Sequence, residues 1–305
     1  MILTENKDLE LRERLSSLPA DGITRFSMLG GTAKGAILSG TTLAAQARLN
    51  HNLGIIESLA LSQALMAGGL ISTTIKEGTR INLRMDCTGA LRGFNIDTDW
   101  QGNVRGYLFN DGIYIDKPLE TFDLKPFIGS GTLSVTRKAG KGDPYTGHIE
   151  LVHGRIAEDI TEYFLKSEQA RTALSLSVRF DPQGRIAGAG GLFLQAMPGA
   201  NNIDMEDMEV WIREIPSLGN YFSGGKTRED FLVEWLRNFD IRILSGSDVT
   251  FSCPCSKERF SAYIKALGKD ELEGILQDGP FPMDIRCHYC NSSYGFSQED
   301  IKALI

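Results

Sequence analysis

Four cysteines crowd the last 53 residues of this 305-residue chain. They run Cys253-Pro254-Cys255, then 31 intervening residues, then Cys287-His288-Tyr289-Cys290. A C-x-C and a C-x-x-C drawn from distant chain segments supply two chelating pairs, the pattern of a tetrahedral zinc site with four cysteine ligands. Four thiolates fill the coordination sphere and leave no open position for water or substrate. The expected zinc therefore holds structure rather than hydrolysing bonds. It also keeps the sulfurs as thiolates, the form that oxidants attack. Oxidation would remove the ligands and release the zinc, and a segment as short as residues 246–305 would lose most of what folds it. The adjacent cysteines are the expected disulfide partners, Cys253 with Cys255 and Cys287 with Cys290. A C-x-C disulfide closes a small strained ring, and strained bonds are readily reduced, so the change should be reversible. Cys87 stands apart and reads as a core or strand residue, and His288, between two ligands, as a surface residue.

Other chemistry-bearing patterns fail on spacing. Gly30-Gly31-Thr32-Ala33-Lys34-Gly35 is followed by Ala36, with no lysine to reach a phosphate, and Gly225-Lys226-Thr227 lacks the glycine required at position 220, which is Asn220. His51, His148, His153 and His288 accompany neither a G-x-S-x-G elbow nor an H-E-x-x-H helix.

The elements that must position the cysteines read as α+β, with strands in runs rather than in strict alternation with helices. A charged amphipathic helix is expected first. Ile23 to Leu38 forms a strand pair or an irregular entry, and helices fit 41–50 and 53–74. Strands fit Arg80 to Met85, Ala90 to Ile96 and Val104 to Phe109, with Asn110-Asp111-Gly112 as a tight hairpin-type turn. Further strands fit 131–137, 145–152, 172–180 and 185–196, with a helix over Ile156 to Ser167 and a turn at Asp181-Pro182-Gln183-Gly184. Composition divides the chain into a mixed strand and helix core at 1–199, a helical linker at 200–245 and a small four-cysteine zinc domain at 246–305. In the linker, Met208, Trp211, Ile212 and Ile215 lie on one helical face, and Phe231, Trp235, Leu236 and Phe239 on another. Pro216 to Gly225 separates the two helices, and Thr227 with Asp230 caps the second. In the tail, Phe260, Ile264 and Leu267 line a helix stopped by Gly268. Leu272, Ile275 and Leu276 line the next, and Ser297 with Asp300 caps a last short one.

Net charge is −7, yet residues 1–199 carry 21 acidic and 21 basic side chains, so the whole excess lies in the C-terminal third. That argues against a protein whose business is coating nucleic acid or an anionic membrane. The apolar run Leu53 to Ile75 is long enough to span a bilayer. It contains Glu57 and Gln63, however, and a charge near a membrane centre costs at least ~2.5 kcal/mol, so a buried core helix is expected. The first residues lack an apolar h-region, and the expected location is the cytoplasm.

At the cysteines the chain resembles the redox-regulated heat-shock 33 kDa chaperonin family. The likeness rests on Cys253-Pro254-Cys255-Ser256 with Glu258-Arg259, the long spacer, and Cys287-His288-Tyr289-Cys290 followed by Tyr294 and Phe296. It extends upstream through Val104-Arg105-Gly106-Tyr107, Tyr163-Phe164 with Ser167-Glu168-Gln169, and Leu194-Gln195-Ala196-Met197-Pro198. The resemblance implies an ATP-independent cytoplasmic holdase rather than an enzyme, inactive when reduced and zinc-bound. Oxidation would release zinc, unfold the tail and then the linker, and expose apolar surface that binds unfolding client proteins, typically as a homodimer. It also implies that Cys253, Cys255, Cys287 and Cys290 are zinc ligands and redox sensors. Two other classes compete. A thiol-disulfide oxidoreductase using Cys287 and Cys290 needs a βαβ setting that the sequence does not offer. A zinc-ribbon nucleic-acid module needs a basic stripe that the acidic tail lacks.

Overall fold

The computed structural model describes residues 1–115, 121–140, 142–201, 206 and 210–305. Two antiparallel-rich sheets enclose a central helix. After α1 (Leu9–Ser17), β1 (Gly22–Met28) and β2 (Ala33–Ser39) form a hairpin, followed by α2 (Thr41–His51) and α3 (Ile55–Ile71), which ends in a 3-10 turn at Ser72–Thr74. Next come β3 (Thr79–Cys87), β4 (Gly93–Asp99), β5 (Asn103–Leu108), α4 (Lys125–Ile128), β6 (Gly131–Ala139), β7 (Tyr145–Glu150), α5 (Ile156–Glu168), β8 (Thr172–Phe180) and β9 (Ile186–Ala196). The linker contributes helical residues 210–214, α6 (Leu218–Ser223) and α7 (Arg228–Leu236). The chain continues as β10 (Arg242–Asp248), β11 (Thr250–Phe251), α8 (Lys257–Lys265), α9 (Lys269–Asp278), β12 (Met283–Arg286), β13 (Ser293–Phe296) and α10 (Gln298–Lys302). The first sheet has the order β10-β1-β2-β9-β8 and the second β11-β5-β4-β3-β6-β7, while β12 and β13 pair alone.

The α+β expectation holds, and α3 is the core helix that Glu57 argued for. Its apolar window is 89% buried inside the protein. Glu57 is itself buried, where it accepts the Ile113 N–H at 2.7 Å. On β2 the alternation of a strand sends Ala36 and Leu38 toward α3 and Ala33 and Ile37 to the opposite face. That opposite face, with Phe26, Met28, Leu192 and Leu194, is covered by the linker through Leu218, Phe222, Phe231, Leu232 and Leu236. A sheet buried on both faces explains why β9 has no polar face, its buried positions running from Ile186 to Gln195.

Several sequence expectations need correction. Pro216 to Gly225 is not a plain separator, because α6 forms inside it, capped by Ser217. With Gly219 and Asn220 among six residues, its helical signal was too weak to read. In α7 the Thr227–Asp230 capping box is present, but Leu232 takes the buried place expected of Trp235, which stays 39% exposed against Phe231. Leu267 falls beyond the end of α8 and is exposed. Asn110-Asp111-Gly112 does not close a hairpin. The Asn110 carboxamide instead accepts the Gly112 N–H and donates to Ala90 O, tying the end of β5 to the turn before β4. Met208 lies outside the described residues.

The helix α6 lies unusually close to β9. A Cβ on Gly188 would stand 2.1 Å from the Gly219 carbonyl oxygen, and one on Gly219 would stand 2.8 Å from the Arg179 nitrogen. These are backbone atoms that cannot turn aside. Gly188→Ala should therefore lift α6 from the sheet at a cost of ~1–3 kcal/mol. The expected result is increased binding of an apolar-surface dye by the reduced protein, with far-ultraviolet circular dichroism largely kept.

Candidate metal centre

The four cysteines arrive from two loops. Cys253 and Cys255 occupy the extended connection between β11 and α8, whose N-terminus is capped by the Ser256 hydroxyl accepting the Arg259 N–H. Cys287 and Cys290 occupy the turn between β12 and β13. This turn closes on itself. Asn291 N–H donates to Cys287 O at 2.7 Å, Cys287 N–H donates to Ser292 O at 2.9 Å, and Asn291 sits in the left-handed region at φ 57°. The hairpin pairing Met283↔Phe296 through Arg286↔Ser293 fixes the turn's two ends.

All four sulfurs are buried, none is in a disulfide, and they lie within 4.8 Å of one another. Cys253 and Cys287 sulfurs are 3.7 Å apart, and those of Cys255 and Cys290 are 3.3 Å apart. Sulfurs at about 2.3 Å from a tetrahedral metal would be separated by about 3.8 Å. The observed set brackets that value, so these cysteines can hold a metal ion. Tyr294 Oη lies 3.3 Å from Cys255 Sγ and Ser292 Oγ 3.2 Å from Cys290 Sγ. The sulfurs hold protons unevenly. Hydrogen bonds from Cys287 and then Cys290 draw the Cys253 thiol far below its usual range, with the Arg105 guanidinium assisting. The same hydrogen bonds to Cys253 push Cys287 up to about 11 and also raise Cys290. Cys87, half-buried at the end of β3, is raised by desolvation and lies outside the cluster.

The centre is docked on the body by residues that the cysteine pattern did not reveal. Asn50, near the end of α2, donates to Cys290 O at 2.8 Å and to Ile2 O at 3.1 Å. Asn291 returns a bond to Asn50 O at 2.8 Å, and His51 Nε2 lies 3.3 Å from Tyr289 O. Ile2 bonds the Ser292 hydroxyl through both its N–H and its carbonyl. On the other side, Tyr289 accepts at its hydroxyl from Asn95 of β4 at 2.9 Å and packs edge-on against Tyr107 of β5. Arg105 lies over the Tyr289 ring and reaches Cys253. Of these body residues, only Arg105 and Tyr107 stood in a stretch that the sequence singled out. Asn50, His51 and Asn95 are ordinary polar residues whose role comes from tertiary placement. His288 is exposed beside Tyr107.

A cavity of about 300 Å³ opens next to the sulfurs and reaches Cys255 and Cys287, with Tyr107, Phe260 and Tyr289 among its walls. No helix begins at Cys287, so the C-x-x-C lacks the helix N-terminus that activates the nucleophile of a dithiol oxidoreductase.

A helix-lined two-sheet body bearing such a centre is a known kind of molecule. A 33 kDa chaperonin of Acetivibrio thermocellus is 34% identical over 289 residues, 93% of this chain and 97% of the relative. One from Symbiobacterium thermophilum is 34% identical over 284 residues, 92% and 96% of the two chains. The crystal structure of a 33 kDa chaperonin, a heat shock protein 33 homolog from Thermotoga maritima, matches with a TM-score of 0.83 at 26% identity, covering 93% of this chain and 97% of that one. The class is thus a chaperone of the 33 kDa chaperonin kind, here with four clustered cysteines that could hold a metal ion. A family model described as Hsp33 protein matches residues 21–297, and the chain belongs to the Hsp33 family.

Cys287 is 7% exposed and lines the cavity, whereas Cys290 is fully buried. A limiting amount of a small thiol-alkylating reagent should therefore label Cys287 before Cys290, as read by peptide mass spectrometry. Metal binding must also displace the protons held by Cys287 and Cys290. Because Cys287 keeps its proton up to about pH 11, metal affinity should fall continuously as pH falls from there through neutrality, seen in a competition titration with a chromogenic chelator.

Proposed function

We propose that the protein is an ATP-independent cytoplasmic holdase whose client-binding face is covered in the reduced, zinc-bound state and uncovered by oxidation. Four thiolates without an oxygen or nitrogen ligand favour zinc, with Cys253, Cys255, Cys287 and Cys290 as its ligands. On this reading residues 1–199 are the chaperone core, 200–245 the cover and 246–305 the switch. β10 crosses the division between the last two, so cover and switch share a strand.

The observation that carries the reading is how the cover is attached. The linker helices bury an apolar face of the first sheet, and the chain then runs along two sheet edges before reaching Cys253. Along β10 the side chains are mostly exposed, and its hold on the body is chiefly the backbone pairing with β1 from Gly22↔Asp248 to Ser27↔Arg242. The strand β11 pairs with β5 over only two residues. Beyond it the tail has a small buried core of its own, Ile264, Leu272, Phe296 and Ile301. A lobe with so little apolar burial depends on its metal for folding. Once the lobe is lost, β10 keeps only its backbone pairing and the segment at β11 only the burial of Val249 and Phe251, and the cover can leave. An apolar patch of Phe26, Met28, Ile37, Leu192 and Leu194 would then face solvent, a surface suited to exposed apolar segments of other proteins.

Adjacent pairing, Cys253–Cys255 and Cys287–Cys290, follows from the same sequence of events. When the metal goes, sulfurs two and three residues apart remain neighbours, whereas contacts across the two loops require the folded lobe. The oxidised form is proposed to act as a homodimer, and neither nucleic acid nor membrane is a partner.

The test is suppression of aggregation of a chemically denatured model enzyme, monitored by light scattering. Reduced zinc-loaded protein should be nearly inactive. Protein treated with peroxide under mild unfolding stress should suppress scattering near stoichiometry without ATP, and dithiothreitol with zinc should reverse the gain. Equal suppression by reduced and oxidised protein would remove the switch. Catalytic turnover of a small disulfide would restore the oxidoreductase reading.

A further inference from the structure

Arg105 joins the body to the cysteine centre through three contacts made by one guanidinium. Its Nε and Nη2 donate to Asp97 Oδ2 of β4 at 2.9 and 2.6 Å. Nη1 donates to Cys253 Sγ at 3.4 Å, and the guanidinium carbon stands 4.1 Å from the centre of the Tyr289 ring. Arg105 therefore touches a sulfur of the first cysteine pair and the residue enclosed by the second. Its side chain is 18% exposed, and that of Asp97 is 13% exposed.

The remaining docking bonds are of another kind. Asn50, His51, Asn291 and the Met1 ammonium use backbone carbonyls, Asn95 uses the Tyr289 hydroxyl, and the Ile2 backbone uses the Ser292 hydroxyl. None of these groups changes charge when a sulfur is oxidised. Tyr294 and Ser292, which also approach sulfurs, belong to the tail and move with it. Among the described residues, Arg105 makes the one hydrogen bond that runs from a body side chain to a cysteine sulfur.

We infer that Arg105 is the positioning residue that makes docking of the C-terminal lobe depend on the oxidation state of Cys253. With Cys253 a thiolate, the guanidinium donates a charge-assisted bond in a largely dry interface. Oxidation by a peroxide removes that partner. The two thiolates of Cys253 and Cys255 give up two electrons and form one S–S bond. The peroxide O–O bond breaks, and two protons from solvent complete two waters. The resulting sulfur is neutral and a weak acceptor, so the cation keeps Asp97 and the Tyr289 ring but loses its one anionic partner on the lobe. The inference rests on the centre being redox-sensitive, but not on the identity or binding of clients.

Full-length wild type, Arg105→Lys and Arg105→Met are compared by amide hydrogen exchange, with zinc content measured alongside. Thr250 N–H donates to Gly102 O and Ser252 N–H to Val104 O, so these two amides report docking directly. In reduced, zinc-loaded protein, Arg105→Met should exchange at least tenfold faster than wild type at both amides while keeping one zinc per chain. Arg105→Lys, which keeps the charge but not the fork, should fall between them. Wild-type protection with Met, equal loss with Lys and Met, or loss of zinc from the Met variant would each overturn the role assigned to Arg105. If oxidised wild type keeps its protection at these amides, the redox-switch reading itself fails, separately from Arg105.

Discussion

The C-terminal lobe depends on one cluster of contacts: four sulfurs from two loops held within 4.8 Å of one another. Thirty-one residues separate the loops in sequence, and the hydrophobic core of the lobe between and after them is small. Bringing four thiolates together without a cation would concentrate charge in a buried place, and burying four thiols instead gives only weak hydrogen bonds. A metal reverses that balance. Its apparent binding free energy of ~10–16 kcal/mol for structural zinc rivals the whole stability of an ordinary domain. On the proposed reading, a lobe built this way would be stable while the ligands last and unstable once they are oxidised.

On the proposed reading, the rest of the chain would convert that local event into a surface change. The body is a conventional core, with α3 between two sheets, and it does not need the tail for its main apolar contacts. The linker covers a face that the body leaves apolar, and it is joined to the metal centre by strands on sheet edges. Pairing along β10 supplies backbone hydrogen bonds but little side-chain burial, whereas Val249 and Phe251 at β11 are buried in the body's core, so β10 is the part of the connection held most weakly by side chains. The linker has a sharp N-cap at α7 and a backbone-close contact at α6, features of a specific docked state rather than of a loosely associated segment.

Much of this was legible in the sequence, for reasons that differ by region. The cysteine spacing required no tertiary knowledge, since coordination chemistry relates spacing to geometry. Strand alternation was clear where one face is polar, as along β3, whose burial alternates from Thr79 to Met85. It was lost on β9, which is buried on both faces and reads as a plain apolar run. α6 was missed because six residues with a glycine and an asparagine carry almost no helical preference. Leu267 and Trp235 were placed by periodicity on buried faces, but the helix end and the neighbouring packing decided otherwise. Asn50, His51 and Asn95 carried no signal, because a lone polar side chain acquires a docking role only when the fold sets a partner opposite it.

The central claim is that metal retention and thiol reduction are the same condition. It is tested most directly by following zinc release, with a chromogenic chelator, against the free-thiol count during graded oxidation. The account predicts one zinc per chain, lost in step with the disappearance of the four thiols of Cys253, Cys255, Cys287 and Cys290, while Cys87 remains titratable after denaturation. Zinc that stays bound after those four thiols are gone would contradict it.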